Sequence, residues 1–504
     1  MRNAGVLLHI TSLPSPYGVG TFGKEAEAFV DWLKSAGQTL WQILPISPHG
    51  YGGSPYQSPS AFAGNTLFID PLQLVKLGFL PKAELTLYVG NAESLDIDKA
   101  TVENNRLLRI AYDGFKAECG NPERNADFAL LYSRYDNFKK ESASWLDDYA
   151  LFMSLKKSYD GKPWYEWDAQ HKTRSDSAMK TAFAELHDEI RFHRFAQFMF
   201  AEQWAKLRRY ANANGVNIVG DIPIYVAFDS ADVWASPELF LLNDRHEPTD
   251  VAGVPPDFFS EDGQLWGNPL YNWEQMANEN YLWWVNRVKH AAKFFDLLRI
   301  DHFRAFDTYY AVPYGETTAR HGEWRNGPGM ALFDVIKENL KDLPIKIIAE
   351  DLGDICDSVR KLLRDTGYPG MKILPFGFNP QGEDSEHLPH NFQQNIVAYT
   401  GTHDNQTFKG WYKSADRKTR FYAKRYLEPK FFEGTSFAAI KCLYKSAANR
   451  VVIPIQDILN LPDTARMNTP GTVGGSNWKW RMKSDALTPK AAQKLKKLCE
   501  TYHR

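Results

Sequence analysis

The segment Leu297-Leu-Arg-Ile-Asp-His-Phe-Arg304 is a short apolar run that ends in charged and polar residues. Two later runs have the same form: Ile345-Lys-Ile-Ile-Ala349 precedes Glu350, and Ile396-Val-Ala-Tyr-Thr400 lies shortly before Asp404. Short apolar runs without polar alternation are typical of parallel strands that are buried on both faces. A carboxylate at the end of each such strand is predicted to point out of the core at one rim of a sheet.

Five further apolar runs bring the number of predicted strands to eight, and helical stretches separate them. Alternating strands and helices predict parallel β/α architecture. Eight strands favour a (β/α)8 barrel over an open sheet, with its site at the C-terminal rim. The predicted strands are Gly5–Ile10, Thr39–Pro45, Val216–Ile222, Leu297–Asp301, Lys346–Glu350, Met371–Phe376, Ile396–Thr400 and Val451–Gln456. The predicted helices include Glu25–Ser35, Phe192–Asn214, Tyr281–Phe295 and Gly329–Leu340.

Two segments interrupt this alternation. Residues 72–191, between the second and third predicted strands, are rich in Lys and helical in period, so we expect an inserted helical subdomain. Residues 225–273 are rich in Pro, Gly, Asp and aromatic side chains and are predicted to form an ordered rim loop. The whole chain, residues 1–504, is predicted to be a single barrel that carries these segments.

Composition argues against several classes of partner. The net charge is −2, with no long run of one sign, so neither nucleic acid nor a membrane surface is an expected partner. No stretch is apolar enough to span a membrane, and the apolar part of the N-terminal segment is too short for a signal peptide. The four cysteines show no CxxC spacing, which favours reduced thiols and a cytoplasmic location.

The chain is rich in aromatic residues, with 15 Trp, 24 Tyr and 31 Phe. A large aromatic core explains most of them. A cleft for sugars is the alternative, because aromatic faces stack on pyranose rings while their polar tips form hydrogen bonds. Composition alone leaves both interpretations open.

Arg299 and Asp301 stand two residues apart in a predicted strand and therefore share a face. The guanidinium is expected to keep the Asp301 carboxyl ionised, as a glycosidic nucleophile requires. A structural Arg–Asp pair inside the barrel is an equally good interpretation of these two residues.

Glu350 follows an apolar strand and precedes Asp351. The apolar surroundings and the second carboxylate are expected to raise the pKa of Glu350, which would suit a general acid. The alternative is a helix N-cap, common after a strand-to-helix turn, and we assign that role to Asp351 or Asp354. Two carboxylates of opposite protonation state are the equipment for cleaving and forming a glycosidic bond.

His403 and Asp404 follow another predicted strand. No second His or Cys lies close in sequence, so a metal site is not expected; the pair is instead suited to hold two adjacent sugar hydroxyls. The glycines of Gly18–Gly23 fit a nucleotide-loop pattern only out of context, because two prolines separate them from the first strand. No metal and no organic cofactor are predicted.

The strand-end motifs LRIDHFRAF, IIAEDLG and YTGTHDNQT, in this order, resemble those of the amylomaltases, the 4-alpha-glucanotransferases also called disproportionating enzymes. Four longer segments extend the resemblance over nearly the whole chain. They are Leu44–Asn65, Gly220–Phe240, Gly253–Trp273 and Ala465–Arg481.

By this resemblance, Asp301 is the nucleophile, Glu350 the acid/base and Asp404 the transition-state stabiliser of a retaining enzyme. The implied substrates are α-1,4-glucans, with glucose or another glucan as acceptor. Gly253–Trp266 is expected to act as a lid over the bound glucan, and the alternative is a rim loop whose aromatic side chains pack on the barrel. Phe258 replaces a Tyr of several relatives, which keeps a stacking face and loses a hydroxyl. The residues expected to contact sugar or orient the carboxylates are Tyr56, Asp221, Phe258, Trp266, Arg299, His302, His403 and Asn468.

Two other functions remain compatible with the sequence. A retaining α-glucan hydrolase would use the same carboxylates with water as the acceptor. A catalytically silent glucan-binding protein is a more distant alternative, which the complete set of three carboxylates argues against.

Overall fold

A computed structural model of the chain describes residues 2–120, 126–256, 260–379, 385–430 and 433–504. The strands within these residues are β1 Asn3–Leu7, β2 Leu40–Gln42, β3 Asn217–Pro223, β4 Asp250–Val254, β5 Gln264–Pro269, β6 Leu297–Asp301, β7 Thr308–Pro313, β8 Glu323–Asn326, β9 Lys346–Ala349, β10 Gly370–Ile373, β11 Ile396–Tyr399 and β12 Arg450–Pro454.

Eight of these strands form a parallel sheet in the order β10-β11-β12-β1-β2-β3-β6-β9. The two outer strands of this order come together. The Ala349 amide donates to the Pro369 carbonyl at 3.0 Å, and the Met371 amide donates to the Asp351 carboxylate at 2.6 Å. The predicted (β/α)8 barrel is confirmed, and each of the eight predicted strands overlaps an observed one.

The barrel interior is a packed apolar layer rather than a pore. Every barrel strand contributes to it, through Leu7, Leu40, Val219, Leu297, Ile348, Met371, Ile373, Val397, Tyr399 and Val452. Side chains two positions further along a strand point the same way. In five strands this next inward residue is polar, namely His9, Gln42, Asp221, Arg299 and Glu350. The strand period therefore places polar groups directly above the apolar layer, at the C-terminal rim.

Helices surround the barrel, and α1 shows how the sequence encodes them. Glu25 and Glu27 lie in its first turn and Lys34 in its last, which complements the helix dipole, while Phe29 and Leu33 are buried. The helices of the described residues are α1 Lys24–Ser35, α2 Pro71–Lys76, α3 Ile97–Cys119, α4 Ala126–Glu141, α5 Leu146–Ser158, α6 Ala169–Lys172, α7 Asp176–Glu185, α8 His187–Ala213, α9 Ala231–Ala235, α10 Trp273–Asn278, α11 Leu282–Phe294, α12 Met330–Leu340, α13 Asp357–Thr366, α14 Phe408–Ser414, α15 Arg417–Leu427, α16 Thr435–Lys445, α17 Ile455–Ile458 and α18 Pro489–Tyr502.

The long interval between β2 and β3 contains helices α2 to α8 and no strand among its described residues. Aromatic side chains pack these helices together, for example Phe115 against Phe195 with ring centroids 4.9 Å apart. None of the described helices, here or elsewhere, combines the length and apolar character needed to cross a bilayer.

The segment 225–273, predicted to be a loop, contains regular structure. Strands β4 and β5 within it join β7 and β8 in an antiparallel sheet of order β5-β4-β7-β8. The loop prediction was wrong for these strands because they are short and contain Gly253, Gly267 and Pro269. These residues interrupt the apolar pattern by which strands are recognised.

Candidate active site

The carboxyl ends of the barrel strands hold four acidic side chains that sequence analysis singled out. Asp221 lies in β3, Asp301 ends β6, Glu350 directly follows β9, and Asp404 lies in the loop after β11. Hydrogen bonds, together with one ring stacking contact, connect these residues at one rim of the barrel.

Arg299 joins two of these carboxylates. Its Nη1 donates to both oxygens of Asp221, at 2.8 and 2.7 Å, and its Nη2 donates to Oδ1 of Asp301 at 2.6 Å. Burial acts to lower the pKa of Arg299, but Asp221 and Asp301 outweigh it and hold that pKa well above its ordinary value. A fixed positive charge therefore lies beside Asp301, whose side chain is 28% exposed at the rim.

Glu350 is held differently. Its Oε1 accepts from the Leu352 amide at 2.8 Å and its Oε2 from the His302 amide at 2.7 Å. Burial, followed by the charge of Asp301, raises the pKa of Glu350 to about 8. The predicted rise is confirmed with burial as its larger cause, but the second carboxylate is Asp301 rather than the neighbouring Asp351.

The assignment of a helix cap to Asp351 or Asp354 was wrong. The helix after this turn, α13, has Cys356 at its N-cap. The Asp351 carboxylate instead accepts from the Met371 amide and lies 3.5 Å from Nζ of Lys372, so it joins β9 to β10. Its tertiary partners could not be read from its position in the sequence.

His302 connects the ends of β6 and β9. It has a left-handed backbone with φ of 54°, which turns its amide towards Glu350. Its ring contacts Trp266 edge to face, with centroids 4.7 Å apart. Burial lowers the pKa of His302 to about 4, so the imidazole is neutral near pH 7.

An aromatic group covers the other side of the network. The Tyr56 hydroxyl donates to Asp221 at 2.8 Å, and the Tyr56 ring stacks on His403 with centroids 5.2 Å apart. Trp478 contacts both rings, at 5.8 Å from Tyr56 and 5.9 Å from His403. Trp478 is not among the residues expected to contact sugar, although it lies in Ala465–Arg481, one of the segments that carry the family resemblance.

Asp404 is oriented by its neighbours. Asn468 donates to Oδ1 of Asp404 at 2.6 Å, and Nε2 of His403 lies 3.3 Å from Oδ2. Arg466, another contact that the sequence did not predict, donates to the Asp404 main-chain carbonyl at 2.6 Å. The side chain remains 38% exposed, so it is available to a ligand.

The segment predicted to be a lid, Gly253–Trp266, carries three aromatic side chains, Phe258, Phe259 and Trp266. Phe258 and Phe259 lie outside the described residues. Trp266 is half-buried in β5, against His302. No group of three or more His, Cys, Asp or Glu side chains is arranged to hold a metal ion in the part of the chain that the structure describes.

Fold and site together define a class of protein: a (β/α)8-barrel enzyme whose rim combines an arginine-paired carboxylate with a proton-retaining one, as chemistry at a glycosidic bond requires. The sequence matches the family model described as 4-alpha-glucanotransferase over residues 8–488. It is 45% identical to a 4-alpha-glucanotransferase of Streptococcus pneumoniae, over 100% of this chain and 97% of that protein. It is 44% identical to one of Aquifex aeolicus over the full length of both.

Among solved structures, the fold matches an amylomaltase of Streptococcus agalactiae in complex with acarbose. The TM-score is 0.94 at 40% sequence identity, with 100% of both chains covered. The chain therefore belongs to the 4-alpha-glucanotransferase family and is an enzyme of the glycosyl-transferring type, as its motifs predicted.

Proposed function

We propose that this chain transfers segments of α-1,4-glucans between glucan molecules, with glucose as the smallest acceptor, through a covalent ester on Asp301. The observation that carries the proposal is the contrast between two carboxyl groups at one rim. Asp301 is paired with the guanidinium of Arg299, whereas burial raises the pKa of Glu350 to about 8. Opposite protonation states at neighbouring carboxyls are what a retaining mechanism needs.

In the first step, the Asp301 carboxylate attacks the anomeric carbon of the donor. The bond from that carbon to the leaving oxygen breaks, and Glu350 gives its proton to this oxygen. The products are a glycosyl ester on Asp301 and a shortened glucan.

In the second step, Glu350 is a carboxylate and takes the proton of the acceptor 4-hydroxyl. The acceptor oxygen attacks the anomeric carbon, and the ester bond to Asp301 breaks. Two inversions at one carbon restore the α configuration, and Glu350 regains its proton for the next cycle.

The remaining residues are proposed to hold the donor sugar. Asp404 and His403 are placed to bind adjacent hydroxyls, because Asn468 fixes the Asp404 carboxylate from its other side. Tyr56 offers a ring beside them while its hydroxyl holds Asp221. Hydrogen bonds of this kind that shorten in the transition state contribute to rate.

The hydrolase alternative uses the same two carboxylates, so product analysis separates the two activities. Incubation with maltotriose is expected to give glucose together with longer oligomers. Only shorter sugars would indicate hydrolysis, and unchanged maltotriose would reject activity on this substrate. Asp301→Ala provides the control for a contaminating enzyme.

We also propose a cytoplasmic location. The four cysteines, Cys119, Cys356, Cys442 and Cys499, are all free thiols in the structure. Free thiols are the usual state of cysteines in a reducing compartment. Fractionation of the producing cells, with detection of the chain in each fraction, tests this location.

A further inference from the structure

The loop after β11 carries His403 and Asp404, and one buried carboxylate holds both of its ends. Thr400, at the start of the loop, donates its hydroxyl to Oδ2 of Asp457 at 2.6 Å. The Phe408 amide, at the end of the loop, donates to Oδ1 of Asp457 at 2.7 Å. Asp457 is 2% exposed and lies in α17, directly after β12.

The two hydrogen bonds to Asp457 favour a single conformation of the loop after β11. Burial raises the pKa of Asp457 to about 6, while its two donors act in the opposite direction. Both donors stabilise the charged form of Asp457, and hydrogen bonds to an anion are shorter and stronger than neutral ones. A buried anion that loses a donor has no water to replace it, so displacing either end of the loop is costly.

The segment after β12 also contacts the middle of the same loop. The Asp463 carboxylate accepts from the Thr407 amide at 3.1 Å. Arg466 donates to the carbonyl of Asp404, and Asn468 donates to its carboxylate, both at 2.6 Å. Two adjacent barrel loops are therefore joined along their length, with Asp404 in the joined region.

We propose that Asp457 and Thr400 are positioning residues for the transfer reaction, which fix the loop that aims the Asp404 carboxylate at the donor sugar. They act through Asp404 and do not touch substrate. The inference rests on the proposed function, because it presupposes that Asp404 stabilises the transition state. Small displacements of a group that acts there are costly, since about 1 Å of misplacement lowers a rate by about 100-fold.

The chain contains a matched control for this contact. Asp70 is a buried aspartate, 3% exposed, that also accepts from one threonine hydroxyl and one backbone amide. Thr21 donates to its Oδ2 at 2.9 Å and the Gln73 amide to its Oδ1 at 3.2 Å. This pair joins the loop after β1 to α2 and carries none of the proposed sugar-binding residues.

The experiment compares Thr400→Val with Thr21→Val, and Asp457→Asn with Asp70→Asn. For each variant, kcat and KM for maltotriose are measured together with the thermal midpoint of unfolding. Both pairs should lose similar stability, but only Thr400→Val and Asp457→Asn should lower kcat, by about 10- to 100-fold. Thr400→Ser, which keeps the hydroxyl, should restore kcat to within a few-fold of wild type.

A double-mutant cycle that combines Thr400→Val with Asp404→Asn tests whether Thr400 acts through Asp404. Rates are measured with α-maltosyl fluoride as an activated donor. If Thr400 acts through Asp404, Thr400→Val should have almost no further effect in the Asp404→Asn background. An equal loss in both backgrounds would overturn the inference, and so would wild-type kcat in Thr400→Val and Asp457→Asn. Wild-type activity in Asp404→Asn would instead reject the role of Asp404 in the proposed function.

Discussion

The ends of β6 and β9 each present one carboxyl group, and the two groups have opposite surroundings. Asp301, at the end of β6, is partly exposed and paired with the buried guanidinium of Arg299. Glu350, after β9, is buried, and its two carboxyl oxygens accept from the backbone amides of Leu352 and His302. In the proposed mechanism, the same chemical group attacks at one strand end and holds a proton at the other.

Removal of the attacking group should have the largest effect. Asp301→Ala is expected to lower transfer from maltotriose by about 10⁴-fold or more, because no other side chain replaces a covalent nucleophile. Glucan binding and the far-ultraviolet spectrum should change little. Asp113→Ala, at an exposed aspartate of α3 paired with Lys116, is the control and should keep wild-type activity. Near-wild-type turnover by folded Asp301→Ala would reject the assignment.

Glu350, the proposed acid/base, should set the pH dependence of kcat/KM. Because Glu350 must be protonated to give a proton to the leaving oxygen of the donor, kcat/KM should fall as pH rises through about 8, the value to which its pKa is raised. Glu350→Gln cannot titrate, so this alkaline limb should disappear while the rate falls by about 10²- to 10⁴-fold. A pH–rate profile of both proteins measures the limb. An unchanged limb and rate in Glu350→Gln would count against the role.

Arg299 is the cation that pairs with Asp301, so replacing it should disturb the proposed nucleophile. Lys is a point charge and cannot reproduce the three contacts that Arg299 makes to Asp221 and Asp301. Arg299→Lys should lower kcat by about 100-fold, since the nucleophile is no longer fixed in place. Steady-state kinetics checks this loss. Arg325→Lys is the control, with little expected effect. Arg325 forms an ion pair with Asp250 in the antiparallel sheet of β4, β5, β7 and β8.

The smallest effect is expected from substitution of Trp266, close to the end of β6. Trp266 packs on His302, the residue that follows Asp301. Trp266→Ala removes a stacking face worth about 1 kcal/mol to an acceptor sugar, so hydrolysis should gain several-fold on transfer. New reducing ends measured against glucose released from maltotriose give this ratio. Tyr314→Ala, at an exposed aromatic after β7, should leave it unchanged, and a wild-type ratio in Trp266→Ala would exclude such a role.

The barrel and its acidic site could be predicted because both follow from local pattern. Strands buried on both faces must be apolar, and a polar residue two positions beyond an inward one must face the same side. Leu297, Arg299 and Asp301 illustrate this, since one strand supplies an apolar core residue, a guanidinium and a carboxylate in register. The local alternation carries that information by itself.

The features that the sequence did not reveal depend on contacts between distant segments. Asp351, expected to cap a helix, instead accepts a hydrogen bond from the Met371 amide. The Trp478 ring contacts the ring of Tyr56, which is distant from it in the sequence. Asp457 resembles any acidic residue near a helix start, and only its contacts with Thr400 and Phe408 show what it holds. Such roles are set by tertiary packing, which no local pattern records.

Trapping of the glycosyl ester tests the central claim most directly. Glu350→Gln is incubated with α-maltosyl fluoride, whose leaving group needs no proton, and the protein is digested and analysed by mass spectrometry. Without the base that activates an acceptor, the ester should accumulate, and the added maltosyl mass should map to Asp301. Absence of any adduct while the fluoride is consumed, or an adduct on another residue, would contradict the division of roles between the two strand ends.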